Sequence, residues 1–91
     1  MAMTEAIHVI VTGRVQGVGF RDWTRRAARQ LSLKGWVRNR DDGTVEAQVE
    51  GDRDSLDRLS EMLKNGPPAA SVADVTVTRT DPEGAVDFGI R

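Results

Sequence analysis

The chain has 91 residues, 38% hydrophobic and 30% charged, with a net charge of −1 and no cysteine. That length holds the single core of one domain, 1–91, excludes a second core and needs no metal or disulfide staple; the missing cysteine excludes a disulfide framework, a thiolate nucleophile and a cysteine-ligated metal. Charge is uneven: residues 14–40 carry eight bases against Asp22, a net of +7, while residues 41–91 carry twelve acids against five bases, a net of −7.

A basic third of the chain favours an anionic ligand, or else its arginines form only a solvated helix face. The N-terminus "MAMTEAIHVIVTG" lacks the basic region, long apolar run and small-residue cleavage site of a secretory leader, and no segment approaches 18 consecutive apolar residues. The expectation is a soluble, intracellular, cytoplasmic protein with no membrane partner. With no apolar stripe left over, a monomer is expected.

In chain order, "AIHVIVTG" alternates Ile7, Val9 and Val11 against His8, Ile10 and Thr12, which predicts a strand. Next comes "TGRVQGVGFRDW" at 12–23, with three glycines within seven positions. From Phe20 to Leu33, Phe20, Trp23, Ala27 and Leu31 recur at helical spacing opposite Arg25, Arg26, Arg29 and Gln30, which predicts the first helix. "GWVRNRD" and "TVEAQVEG" predict two antiparallel strands joined at Asp42-Gly43, residues that tolerate positive φ in tight hairpins.

A second helix is expected to start near Asp52 or Asp54 as cap and to present Leu56, Leu59, Met62 and Leu63, stopping at "NGPP" through Gly66, Pro67 and Pro68. "SVADVTVTRT" alternates imperfectly through Val72, Val75 and Val77, and "AVDFGIR" predicts a short last strand with Val86, Phe88 and Ile90 on one face. This order predicts an α+β, ferredoxin-like βαββαβ sandwich. Its sheet is antiparallel, with two helices on one face and a short extra C-terminal strand.

The glycine stretch has two physical readings. Between a strand and a helix N-terminus, Gly17 and Gly19 let successive amides turn toward one centre as a nest for a phosphate-like group, with Arg21 as a bidentate clamp; alternatively the glycines only make a tight strand-to-helix turn. It is neither a Walker loop, which needs Gly-Lys-Ser/Thr, nor a dinucleotide fingerprint, which needs a glycine where Asp22 stands.

"GRVQGVGFR" at 13–21, "GWVRN" at 35–39 and "DGTVE" at 42–46 together resemble the acylphosphatase family, and the likeness extends through "VEGD", "NGPP" and "FGIR" over essentially the whole chain. The resemblance implies hydrolysis of an acyl phosphate, a small-molecule substrate, to a carboxylate and inorganic phosphate, with no metal or other cofactor. Phosphate or another tetrahedral anion is then the expected inhibitor. Arg21 matches the family's substrate-binding arginine and Asn39 its water-positioning asparagine. The backbone amides of Gln16, Gly17, Val18, Gly19 and Phe20 would hold the phosphate. Arg40 follows Asn39 where some relatives place threonine, which changes the groups beside the carboxamide.

Other residues compete poorly. His8, the sole histidine, reads as structural or solvent-facing. The acids of the second half show no metal-ligand spacing and read as a solvated surface, while Trp23 and Trp36 suit core or helix–sheet packing better than base stacking. Ser55 and Ser71 have no recognisable His/Asp partners. An RNA-binding module built on the basic segment would need exposed sheet aromatics and a recognition signature that are lacking, so no nucleic-acid partner is expected. A catalytically silent anion-binding domain is the remaining alternative.

Overall fold

The computed structural model describes residues 4–91. Alternation sorts the first strand, β1 (Glu5–Arg14), into a face of buried Ile7, Val9 and Val11 and a face of half-buried His8, Ile10 and Thr12. Four more strands, β2 (Lys34–Asn39), β3 (Val45–Gly51), β4 (Ser71–Thr80) and β5 (Phe88–Ile90), complete a sheet of order β4-β1-β3-β2-β5. The first four pair antiparallel, and β5 adds to the outer edge of β2 in parallel. Helices α1 (Phe20–Gln30) and α2 (Arg53–Leu63) share one core with the inner face of this ferredoxin-like sheet. Phe20, Leu59, Leu63, Val9, Val37, Val49 and Phe88 are its centre, each large side chain worth about 1.5–3 kcal/mol on burial.

Several local expectations shift. Helix α1 stops at Gln30, short of Leu33, because Ser32 takes φ 58 and its amide bonds Arg29 O while Leu33 N bonds Ala28 O, a Schellman closure. Its buried face is Phe20, Thr24, Ala27 and Ala28, with Trp23 and Leu31 on the flank. The β2–β3 hairpin closes at Arg40 and Thr44 around residues 41–43, and only Gly43, at φ 90, leaves the negative-φ region. That is a type I turn with a bulge glycine in place of a two-residue turn with positive φ at both positions. The imperfect alternation of β4 comes from a bulge: Gly13 pairs Val72 but Thr12 pairs Asp74. Val86 lies outside β5 and is 88% exposed, since the chain meets β2 only from Phe88 onward. Asp52 caps α2 as expected, its Oδ1 accepting from Ser55 N at 3.0 Å.

The sheet face away from the helices is not a plain solvated surface. Residues 81–85 cross it, held by Glu50, a 3%-exposed carboxylate that accepts from the amides of Glu83, Gly84 and Ala85 at 2.8–2.9 Å. Trp36 lies on this face and outside the helix–sheet core, donating Nε1 to Glu83 Oε1 at 3.0 Å, with the Arg38 and Arg91 guanidinium groups over its ring. His8 also lies here, its Nε2 2.6 Å from Glu46 Oε2, while Arg38 Nε donates to Glu46 Oε1 at 2.5 Å.

Burial pushes the Glu46 carboxyl up, but hydrogen bonds from His8 and Arg38 outweigh it and hold the group below its ordinary 4.5. A depressed folded-state value stabilises the fold above the unfolded value and stops doing so as pH falls through the folded one. Glu46→Gln is therefore expected to flatten the loss of unfolding free energy as pH falls below the ordinary 4.5 in denaturant titrations. Parallel slopes for the two proteins would contradict this.

Candidate active site

Residues 15–19 join β1 to α1, pinned at both ends by buried side chains, Val15 at 1% and Phe20 at 2% exposure. Between them Gly17 and Gly19 take φ 72 and 78. A Cβ at either position would meet nothing within 4 Å, so backbone conformation rather than space calls for glycine. The left-handed region costs other residues roughly 1–2 kcal/mol. As N-cap, Gly19 brings no side chain to occupy the first-turn amides. The first helical acceptor taken is Gly19 O, by Trp23 N at 3.0 Å. The amides of Phe20, Arg21 and Asp22 precede it and have no helical acceptor, at the positive end of the macrodipole.

Arg21 stands in this first turn, half-buried, and among the described residues it has no carboxylate within ion-pair distance. The adjacent acid, Asp22, is engaged along the helix by Arg25 at 2.5 Å and Arg26 at 3.3 Å. A free guanidinium thus lies beside free amides, with the adjacent acid already paired.

Asn39 arrives from another part of the chain. Its register opposite Val45, in phase with Val37 and Gly35, puts it on the inner sheet face at the last position of β2. Strands β1 and β2 both run antiparallel to β3, so their C-terminal ends lie at the same end of the sheet. Asn39 Oδ1 is buried and has no hydrogen-bond partner. Such an orphaned acceptor costs about 1–3 kcal/mol unless a donor such as water reaches it.

These groups meet at a cavity of about 210 Å³ lined by Val15, Gly17, Gly19, Phe20, Arg21, Asp22, Asn39 and Ile90. Of the expected loop residues, whose backbone amides are the groups in question, Val18 packs its side chain against the core, and Gln16 turns its carboxamide to the β2–β3 hairpin, donating Nε2 to Arg40 O at 2.7 Å and Thr44 O at 2.9 Å. Ile90 was not expected on this wall; only the parallel addition of β5 to β2 brings it there. A second hollow of about 320 Å³ also touches Asn39, but its Arg38 and Arg40 are offset by Asp41 and Asp42. In the smaller cavity Arg21 has no such partner, because Asp22 is held by Arg25 and Arg26. Among the described residues no group of three or more His, Cys, Asp or Glu side chains is placed to hold a metal ion, and no helix is long and apolar enough to cross a membrane.

A cavity with open amides, one free guanidinium and one free carboxamide oxygen can hold a tetrahedral anion and orient a water beside it. The model of the acylphosphatase family matches residues 7–90. The acylphosphatase of Acidiphilium cryptum is 51% identical over 83 residues, 91% of each chain. Among solved structures, an acylphosphatase from Coxiella burnetii superposes with a TM-score of 0.94 at 44% identity, covering 97% of this chain and 93% of that one. The acylphosphatase from Bacillus subtilis gives 0.93 at 44% identity, covering 98% and 99%.

Proposed function

The chain belongs to the acylphosphatase family, and from that premise we propose that it cleaves the carboxyl–phosphate bond of acyl phosphates by in-line attack of water, with Arg21 and Asn39 as its catalytic residues. Residues 1–91 act as one such domain. The observation that carries the mechanism is the buried, partnerless Asn39 Oδ1 on the same cavity wall as Arg21 and the α1 N-terminus.

The phosphoryl group rests on the backbone amides of residues 16–20 and the Arg21 guanidinium, which neutralise charge on its oxygens without being consumed. Asn39 Oδ1 accepts a hydrogen bond from a water and so turns the water's free lone pair toward phosphorus. A carboxamide is too weak a base to take the proton, so the phosphoryl oxygens receive it. The leaving group is a carboxylate whose acid has a pKa of about 4, and it departs without a general acid. Positioning and electrostatics supply the rest. Inorganic phosphate, a product with the same tetrahedral oxygens, competes for the cradle.

The test is hydrolysis of benzoyl phosphate in the presence of a chelator, which is expected to proceed undiminished. No activity in the wild type would sink the reading and leave an anion-binding domain. A second outcome concerns pH. The cavity wall carries no histidine, and His8 is on the opposite sheet face beside Glu46. The pH–rate profile is therefore expected to follow substrate ionisation and to be the same in His8→Ala; a step in the wild-type profile that disappears in this variant would show that His8 takes part in the proton transfer and overturn this mechanism.

A further inference from the structure

Resting on that reading of Arg21 and Asn39, we propose that the Gln16 side chain is a positioning residue: it sets the distance between the cradle that holds phosphorus and the carboxamide that aims the water. The loop amides follow β1, while Asn39 ends β2, and β3 lies between these strands. The paired register of β2 and β3 ends at Asn39 and Val45 on the hairpin side, and no strand pairing joins the end of β2 to the loop after β1.

Gln16 supplies it. Its one carboxamide nitrogen has two hydrogens, and both are used: one on Arg40 O at 2.7 Å, one on Thr44 O at 2.9 Å. Arg40 is the residue after Asn39, and Arg40 and Thr44 are the pair that closes the hairpin, with Arg40 N donating to Thr44 O at 2.9 Å. The fork therefore grips both strands of the hairpin mouth one residue beyond the water-orienting group. Gln16 is itself the residue before Gly17, so its backbone is part of the cradle. No other side chain among the described residues bonds the loop to the hairpin. A carboxylate in its place would set oxygens against two carbonyl oxygens, and an apolar isostere would leave both carbonyls without this donor.

The consequence is specific. Loss of the fork leaves Arg21 and the amides in place but lets the Asn39 end of the site drift, and a misplacement on the order of 1 Å costs up to about a hundredfold. Gln16→Met, which keeps length without donors, is expected to lower kcat for benzoyl phosphate at least about tenfold while inhibition by inorganic phosphate stays within about twofold. In the Asn39→Ala background the same substitution is expected to cost nothing further, since the group it positions is gone. Amide hydrogen exchange at Arg40 and Gly43 is expected to quicken in Gln16→Met, a readout that stands whether or not the protein hydrolyses benzoyl phosphate. Equal losses from Gln16→Met with and without Asn39, or weakened phosphate inhibition with kcat unchanged, would overturn the positioning role. Unaltered exchange at Arg40 and Gly43 would overturn the brace itself. Full activity in Asn39→Ala would instead count against the reading of Asn39 on which the role depends.

Discussion

Arg21→Ala is expected to lower kcat/KM for benzoyl phosphate by at least a factor of about 100, with the fold intact. Its guanidinium is the one cation on the cavity wall and has no carboxylate partner among the described residues, so its removal uncouples no structural ion pair. On the proposed mechanism it would hold the phosphoryl oxygens in the ground state and more strongly in the transition state, so KM and the inhibition constant of inorganic phosphate are expected to rise along with the fall in kcat. Arg21→Lys restores the charge but not the two-pronged geometry and is expected to recover only part of the rate. A near-wild-type rate in Arg21→Ala would move the phosphate site elsewhere.

Asn39→Ala is expected to cost as much in kcat, on the order of a hundredfold or more, with a different signature. On the proposed mechanism the carboxamide would orient the nucleophile without carrying the phosphate, so phosphate inhibition is expected to persist. Removing the group also removes a buried acceptor that has no partner in the protein, so thermal stability is expected to hold or rise slightly, as follows when an unsatisfied polar atom is deleted. Steady-state kinetics and a melting curve on one preparation check both halves. A raised phosphate inhibition constant with kcat preserved would make Asn39 a binding residue.

Much of this was legible before folding. Period-two alternation placed Ile7, Val9 and Val11 on the inner face of β1, and leucines at helical spacing placed Leu56, Leu59 and Leu63 under α2. Such patterns are read locally because a strand or helix shows its buried face at a fixed period. Local pattern misleads where a distant segment decides the environment. Trp36 reads as a core residue, yet its parity puts it on the outer face, bonded to Glu83 and with two arginines against its ring. Glu50 looked like one of many surface acids and is instead buried by a strap from 33 to 35 residues away. Nothing in the run "QVEG" announces that strap. The Gln16 fork reaches 24 and 28 residues ahead and was hidden for the same reason.

By itself the sequence determined the residue types of the site and the local shapes that present them: Gly17 and Gly19 where φ turns positive, Arg21 in a first helical turn, and Asn39 at the end of a strand. These follow from backbone sterics and side-chain period, both short-range. That Arg21 and Asn39 face one cavity, with Ile90 on its wall and Gln16 bracing its two sides, was decided only by the tertiary structure. Pairing β1 and β2 on either side of β3, with β5 parallel to β2, brings three strand C-termini to the same end of one sheet. Register across a sheet is set by which faces are buried together, a property of the assembled core that no single segment contains.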